Sequence, residues 1–474
     1  MALEVERIGP VSCDDARMKL FSDLPLDSQL APGLDAAGYV ELTPIQAQAL
    51  PSILDGKDLI GLAPTGSGKT VAFGLGLLQR LDVAQIRVQA LVLCPTRELA
   101  DQVAKEIRRL AIGIPNLKLS ILCGGIGLRP QLASLTHDPH VVVGTPGRIQ
   151  ELLRRKALHL GGVRTLVLDE ADRMLDMGFS EAINEIVERT NKERQSLLFS
   201  ATFSDEIREI ATRMLKEPAE VSVEGGETQP TIKQLFFETT LSNKQLGLGA
   251  LLALHKPQST VVFCNTRRDT VEVATSLQAQ GFAAAAMHGE IDQRERDEIL
   301  VRFGNASCQV LVATDVAGRG LDIKDLGAVV NYELPTNTED YLHRIGRTGR
   351  MGKDGLALSL VTHREMQRAK ALEAEYGAPL NWNRLPATNA KNEGLGIAPM
   401  VTLCIDSGRT EKMRPGDILG ALTGDAGLKG SVVGKIDVFA TRSYVAIHRS
   451  QANAALNRLK NGKIKGRKVR VRKI

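Results

Sequence analysis

No stretch of this 474-residue chain stays apolar for the ~18 residues that a membrane-crossing helix needs. The first ten residues carry Glu4, Glu6 and Arg7 with no apolar core after them, which argues against a secretory signal. Cysteine is sparse and scattered, with six at positions 13, 94, 123, 264, 308 and 404. None forms a close pair, so a zinc site and a disulfide framework are both disfavoured and a reducing cytosol fits. These absences predict a cytoplasmic protein with no membrane partner. What is present is an apolar fraction of 43%, enough for ordinary buried cores, and a length that suits two or three domains.

The net charge of +5 is unevenly spread. Residues 397–474 hold eight Lys, eight Arg and five acidic residues, a balance of +11, while the first 396 residues carry −6. A compact basic tail on a mildly acidic body suggests a polyanion-binding appendage. A solvated charged surface would carry the same balance.

Short β-rich runs alternate with helical stretches, which implies parallel sheets in an α/β layer fold. Strands are expected at 88–94, 141–144, 165–168 and 196–199, and helices at 99–110 and 179–190. The pattern repeats at 260–263, 283–287, 310–313 and 328–332. Residues 218–230, with Gly225-Gly226 and two prolines, read as a linker, and 381–398 as a second break. The organisation expected is three modules, at 20–220, 231–380 and 399–474.

Two segments carry the chemistry. Ala63 to Thr70 read Ala-Pro-Thr-Gly-Ser-Gly-Lys-Thr. Gly66 and Gly68 let the backbone turn tightly and aim N–H groups at phosphate oxygens. Lys69 places a cation near the β- and γ-phosphates. Thr70 offers a hydroxyl to Mg²⁺ and opens a helix whose dipole favours the anion. Leu166 to Asp172 read Leu-Val-Leu-Asp-Glu-Ala-Asp, an apolar run ending in carboxylates at the strand end where such folds bind ligands. Asp169 can hold Mg²⁺, and Glu170 can orient and deprotonate an attacking water. Asp172 is expected to link the site to neighbouring polar residues.

Asp169-Glu170-Ala171-Asp172 resembles the signature of the DEAD-box RNA helicases, and the resemblance runs from about Phe21 to Gly352. It implies two tandem RecA-like parallel-sheet domains followed by a small α+β domain similar to an RNA recognition motif. It implies ATP and Mg²⁺ as cofactors, with Thr65, Gly66, Ser67, Gly68, Lys69 and Thr70 around the phosphates. Gly38 to Gln46 resembles the adenine-reading segment, in which the Gln46 amide can pair with adenine, with Phe21 as the upstream stacking aromatic. Pro95 and Arg97, Gly125, and Thr145 and Arg148 look like the first domain's RNA-contacting loops. Ser200-Ala201-Thr202 looks like the coupling motif, its hydroxyls bonding to the carboxylate cluster.

In the second module Gly289, Arg296 and Thr314 are implied to touch RNA, and Gly320 and Asp322 the nucleotide. Arg347 and Arg350 of His343-Arg344-Ile345-Gly346-Arg347-Thr348-Gly349-Arg350 are expected to project together from a short helix, and resemble fingers for the γ-phosphate. They would join Lys69, Asp169 and Glu170 as the catalytic set.

The basic tail reads βαββαβ, with strands at 400–405, 431–438, 443–448 and 468–471 and helices at 417–422 and 452–459. Of the usual stacking aromatics only Tyr444 remains, with Leu403 on the opposing strand. Basic side chains including Lys463, Lys465 and Arg467 are the expected RNA contacts instead. Met413 to Asp425 and Gly462 to Gly466 resemble the C-terminal domain of the bacterial DbpA subgroup. That implies structured RNA as partner, 23S ribosomal RNA in pre-50S particles, and a role in large-subunit assembly by a monomer. An ATP-gated RNA clamp or assembly scaffold with little unwinding would use the same residues. A DNA helicase would share the two-module core.

Overall fold

The computed structural model describes residues 19–64, 66–125, 127–223, 232–318, 326–349, 355–386, 398–424 and 427–474. They divide into two compact units, 1–227 and 228–474. No described helix is long and apolar enough to cross a membrane.

The first unit is built on a seven-stranded parallel sheet. Its spatial order is Leu119–Leu122, Val141–Gly144, Ala90–Leu93, Thr165–Asp169, Gln195–Ser200, Leu59–Leu62 and Ala219–Ser222. Helices cover both faces, so the central strands are apolar along their whole length rather than alternating. Leu91, Val92, Val142, Val143, Val167 and Leu168 are all fully buried. Residues 218–230 are not simply a linker. Ala219–Ser222 forms the last edge strand, parallel to Leu59–Leu62, and residues 224–230 lie outside the described residues.

The second unit repeats the plan in the order Ala284–Met287, Val310–Thr314, Thr260–Cys264, Ala328–Asn331, Gly355–Thr362, Ile232–Thr239 and Trp382–Asn383, again all parallel. Trp382–Asn383 lies within the break expected at 381–398, so the first residues of that stretch close the sheet edge instead.

The same unit carries a four-stranded antiparallel sheet, ordered Val433–Val438, Ser443–His448, Met400–Ile405 and Val471–Lys473. The last strand begins where it was expected to end, because Val469 is drawn into the core and the pairing with Ile405 starts at Val471. Helices Pro415–Thr423 and Ala452–Asn461 pack on one face, over Leu403, Ile405, Val445 and Ile447.

Leu403 pairs with Val445 and belongs to that inner face, so it is not the opposite number of Tyr444. Cys404 is. Side chains alternate between faces, and a one-residue offset exchanges inner for outer. Tyr444 is no open stacking platform. It is 3% exposed and packs with Cys404 against Val301 of helix Gln293–Gly304 in the neighbouring parallel-sheet layer. Glu298 of that helix accepts at one oxygen, Oε1, from Arg442 (2.9 Å), Arg472 (2.8 Å) and the Tyr444 hydroxyl (3.3 Å). Thr402 joins Asn305 and Ser307 in a buried hydrogen-bonded knot. The face that carries Tyr444 is covered by protein.

Candidate active site

In a parallel sheet all strands end on one edge, so the loops that follow them share that edge. Strand order then sorts the loops of the first unit into two adjacent groups. Those after Thr165–Asp169, Gln195–Ser200 and Leu59–Leu62 carry the carboxylates, Ser200-Ala201-Thr202 and the glycine-rich loop. Those after Leu119–Leu122, Val141–Gly144 and Ala90–Leu93 carry Gly125, Thr145 with Arg148, and Pro95 with Arg97.

The glycine-rich loop runs from buried Ala63 into helix Lys69–Gln79. Gly68 has φ +102°, and a Cβ there would meet Gln46 Nε2 at 2.5 Å and Thr43 Oγ1 at 2.8 Å. Glycine is required by both conformation and space. Lys69 is buried and donates to the Ala63 carbonyl at 2.8 Å. Gln46 donates to the Gly68 carbonyl at 3.1 Å while its Oε1 accepts from Thr43 N at 2.9 Å, so this amide braces the loop. Phe21 is a core residue, its ring 6.0 Å from Tyr39, and its backbone N–H donates to Val40 of the segment that leads to Gln46. Thr70 opens the helix with Lys69. Thr65 lies outside the described residues.

Asp169, Glu170 and Asp172 are 3%, 5% and 8% exposed. Burial pushes the Asp169 carboxyl up to about 7, with Lys69 opposing and the two neighbouring carboxylates adding to the rise. Asp172 goes the other way. Burial would raise it, but the N–H groups of Ala201 and Arg173, the Lys69 charge and the Ser200 hydroxyl together hold it below the ordinary value. Its Oδ2 accepts from Ala201 N (2.9 Å) and Thr202 N (3.2 Å). The link to Ser200-Ala201-Thr202 thus runs largely through backbone N–H groups rather than through hydroxyls alone. Glu170 sits in the left-handed region (φ 55°, ψ 56°) at the start of helix Ala171–Asp176, and its Oε2 accepts from Arg173 Nη1 at 2.9 Å.

These residues suit a magnesium–triphosphate. Ser67 Oγ and Thr43 Oγ1 are buried and orphaned beside the loop, which supplies hydrogen-bonding groups for a phosphate. The carboxylate cluster exceeds its nearby cations, Lys69 and Arg173, in charge. Among the described residues no three or more His, Cys, Asp or Glu form a metal cage. Magnesium characteristically takes one or two protein oxygens and completes its shell with phosphates and water.

In the same unit, Thr96 caps helix Arg97–Leu110 and Thr145 precedes helix Pro146–Arg154. Thr145 Oγ1 also accepts from Gly124 N at 3.4 Å, which joins two of the loops. Gly125 has φ +76°, and Arg148 pairs with Glu151 at 3.1 Å. Helix N-termini and glycine backbone suit a sugar–phosphate chain.

In the second unit, Gly289 is exposed after Ala284–Met287, and a Cβ there would meet open space. Arg296 donates to the Ala317 carbonyl at 3.0 Å, beside Thr314, whose Oγ1 accepts from Ala317 N. Gly320, Asp322 and Arg350 lie outside the described residues. Arg347 does not project from the helix. That helix ends at Ile345, and Gly346, Arg347 and Thr348 form the turn after it, in which Arg347 N and Thr348 N bond back to Arg344 and Ile345 carbonyls. Glycine is a poor helix former and stops the helix there.

Arg344 is the residue that sequence reasoning passed over. It is buried, forks onto Asp315 at 2.6 and 2.7 Å, and also reaches Asn331, the Glu333 carbonyl and Asn265. Its guanidinium lies 5.1 Å from the Phe263 ring centre. It therefore ties three strand ends to the arginine-bearing helix. The spacing of three arginines at 344, 347 and 350 was the available signal. In the small antiparallel domain, Lys463, Lys465 and Arg467 are exposed around a turn in which Ile464 and Arg467 bond to each other and Ile464 plugs the core.

Residues 43–210 match the DEAD/DEAH box helicase family, 243–352 the helicase conserved C-terminal domain, and 402–473 the DbpA RNA binding domain. The chain is 51% identical over 441 residues to the ATP-dependent RNA helicase DbpA of Escherichia coli (strain K12), spanning 93% of this chain and 96% of that protein. It is 44% identical to the DEAD-box ATP-dependent RNA helicase CshA of Bacillus cereus, over 75% of this chain and 68% of that one. A solved structure of S. cerevisiae Dbp5 bound to RNA and ADP BeF3 aligns with a TM-score of 0.70 at 31% identity, over 79% of this chain and 97% of that chain.

Proposed function

The chain belongs to the DEAD-box ATP-dependent RNA helicases of the DbpA subgroup, and from that premise we propose that it opens short RNA duplexes on 23S ribosomal RNA during 50S subunit assembly in the cytoplasm. Its activity is RNA-stimulated ATP hydrolysis. The module boundaries we adopt are 20–220, 231–380 and 399–474, with the last module as the RNA address and the first two as the engine.

The observation that carries the reading is the sorting of loops along one sheet edge, nucleotide-type loops on one half and backbone-gripping loops on the other. The match of residues 402–473 to the DbpA RNA binding domain, with its exposed basic turn, supports the address. Backbone grips carry little base information, so selectivity is assigned to this last module. The reading takes the protein as a monomer acting on pre-50S particles.

Lys69 and the loop N–H groups hold the β- and γ-phosphates, and Gln46 and Phe21 serve the adenine side. Thr70 and Asp169 would hold Mg²⁺, which when bound neutralises charge on the phosphate oxygens. Glu170 takes a proton from water as the water oxygen attacks the γ-phosphorus. The bond to the bridging oxygen breaks and ADP leaves, with Arg347 and Arg350 stabilising the charge that develops. On this reading ATP and RNA binding are coupled, each raising the affinity for the other by the same factor.

The test is strand displacement on a short duplex tethered to a 23S ribosomal hairpin or to an unrelated hairpin, at one stated salt concentration. Faster displacement with the ribosomal hairpin is expected; equal rates would overturn the address. RNA-stimulated hydrolysis without displacement would leave the ATP-gated clamp in its place. ATP hydrolysis at equal rates with and without RNA would overturn the coupling.

A further inference from the structure

Glu170 holds an awkward place. It is the residue before helix Ala171–Asp176, where a carboxylate would ordinarily fold back onto the helix N–H groups. It makes no such cap, and its backbone adopts a left-handed conformation that non-glycine residues rarely take. Its carboxylate turns instead to Arg173, one helical turn on. The Arg173 Nη1 to Glu170 Oε2 distance is 2.9 Å, and both side chains are more than nine-tenths buried.

The neighbouring carboxylates are held by other groups. Asp172 takes the backbone N–H groups of Ala201, Thr202 and Arg173. Asp169 has the Lys69 charge as its opposing cation. Arg173 has one carboxylate to hold among the described residues, and that carboxylate is Glu170.

We propose that Arg173 is a positioning residue for ATP hydrolysis, holding the Glu170 carboxylate in the direction from which it meets the attacking water. This rests on the assignment of Glu170 as the base. The geometry needed by a general base is strict, since heavy atoms must meet within hydrogen-bond reach. Without the Arg173 contact the Glu170 side chain would have wider rotamer freedom, and fewer of its rotamers would meet that requirement. The pair is local, lying within one helical turn, but buried, so removing Arg173 strands the Glu170 charge and stability is read beside the rate.

Steady-state and single-turnover ATP hydrolysis at saturating RNA, with thermal unfolding of the same full-length samples, provide the test. Arg173→Met should lower kcat about 10²-fold and leave the KM for ATP within about 3-fold. Arg173→Lys should recover about 10-fold of that loss, because it returns a donor and a charge. In a Glu170→Gln background, Arg173→Met should cost no further rate, because the group it positions is already disabled.

An unchanged kcat in Arg173→Met would overturn the proposal. So would an Arg173→Met loss that multiplies with that of Glu170→Gln, since a general structural defect behaves that way. If the methionine variant unfolds, Arg173→Gln makes the same comparison with the charge removed and a donor kept. Wild-type protein in the same assay separates the two readings. No RNA-stimulated hydrolysis there would defeat the proposed function, whereas wild-type turnover with an indifferent Arg173 would defeat this inference alone.

Discussion

The first unit buries three carboxylates at one strand end, and the second unit buries two ion pairs. Among its described residues, Lys244 with Glu365 and Arg344 with Asp315 answer each other. Lys244 meets Glu365 at 2.7 Å and lies 5.0 Å from the Tyr332 ring centre, while Glu365 also accepts from Leu334 N and from Thr362 N and its hydroxyl. Arg344 satisfies Asp315, Asn331, Asn265 and the Glu333 carbonyl at once. In the first unit the sum does not close. Asp169 is lifted to about 7 by burial among its neighbours, and Lys69 spends a hydrogen bond on a backbone carbonyl. Complete pairing rigidifies a fold. Incomplete pairing leaves a site whose missing charges must come from a ligand.

Substitutions can break that contrast. The largest effect is expected for Arg347→Ala, about 10³-fold in the kcat of RNA-stimulated hydrolysis by protein that stays folded in thermal unfolding. A variant that instead unfolds would place Arg347 among the fully paired, structural charges. Glu170→Gln should follow, losing about 10²- to 10³-fold in kcat while binding of a fluorescent ATP analogue persists. Near-normal turnover would remove Glu170 as the base.

Lys244→Met should behave in the opposite way. It strands the Glu365 charge and should cost the second unit about 3 kcal/mol in denaturant unfolding, with ATP turnover within about 3-fold at 25 °C. Glu365 also predicts a pH dependence. Burial alone would raise its carboxyl, but the Lys244 charge and the hydrogen bonds from Lys244 and Thr362 outweigh that and hold it below the ordinary 4.5. Its folded form binds a proton less readily than its unfolded form. The stabilisation is therefore complete above pH 4.5 and fades as pH falls below it, and Glu365→Gln should flatten that slope. The smallest effect is expected for Glu298→Ala, about 1 kcal/mol at the covered sheet face. Cys404, fully buried there, should alkylate faster in that variant, as read by mass spectrometry of its peptide.

The central strands were easier to read in the sequence than the edges of the fold. Strands Val141–Gly144 and Thr165–Asp169 stand out because burial on both faces makes them continuously apolar. Ala219–Ser222 does not, because an edge strand with Glu220 and Ser222 turned outward looks like the loop beside it. The turn at Gly68 into helix Lys69–Gln79 and the strand end at Asp169 were legible because a glycine-rich loop and an apolar run that stops at carboxylates both constrain residue type and spacing. Arg344 was not, since nothing in the spacing of arginines at 344, 347 and 350 marks which of them forks onto Asp315. Tyr444 shows the same limit from another side. The strand itself was legible, but its cover comes from Val301 and Glu298, more than 140 positions away in the chain.

One oxygen of Glu298 answers three donors of the small domain, two on strands and Arg442 in the turn before one of them. That makes the domain less portable than its compact fold suggests. Fused to a foreign motor whose equivalent helix lacks the glutamate, it would keep its own core yet hang by its tether, an address label without a fixed angle. Swapping such appendages between motors therefore calls for transplanting the receiving helix as well.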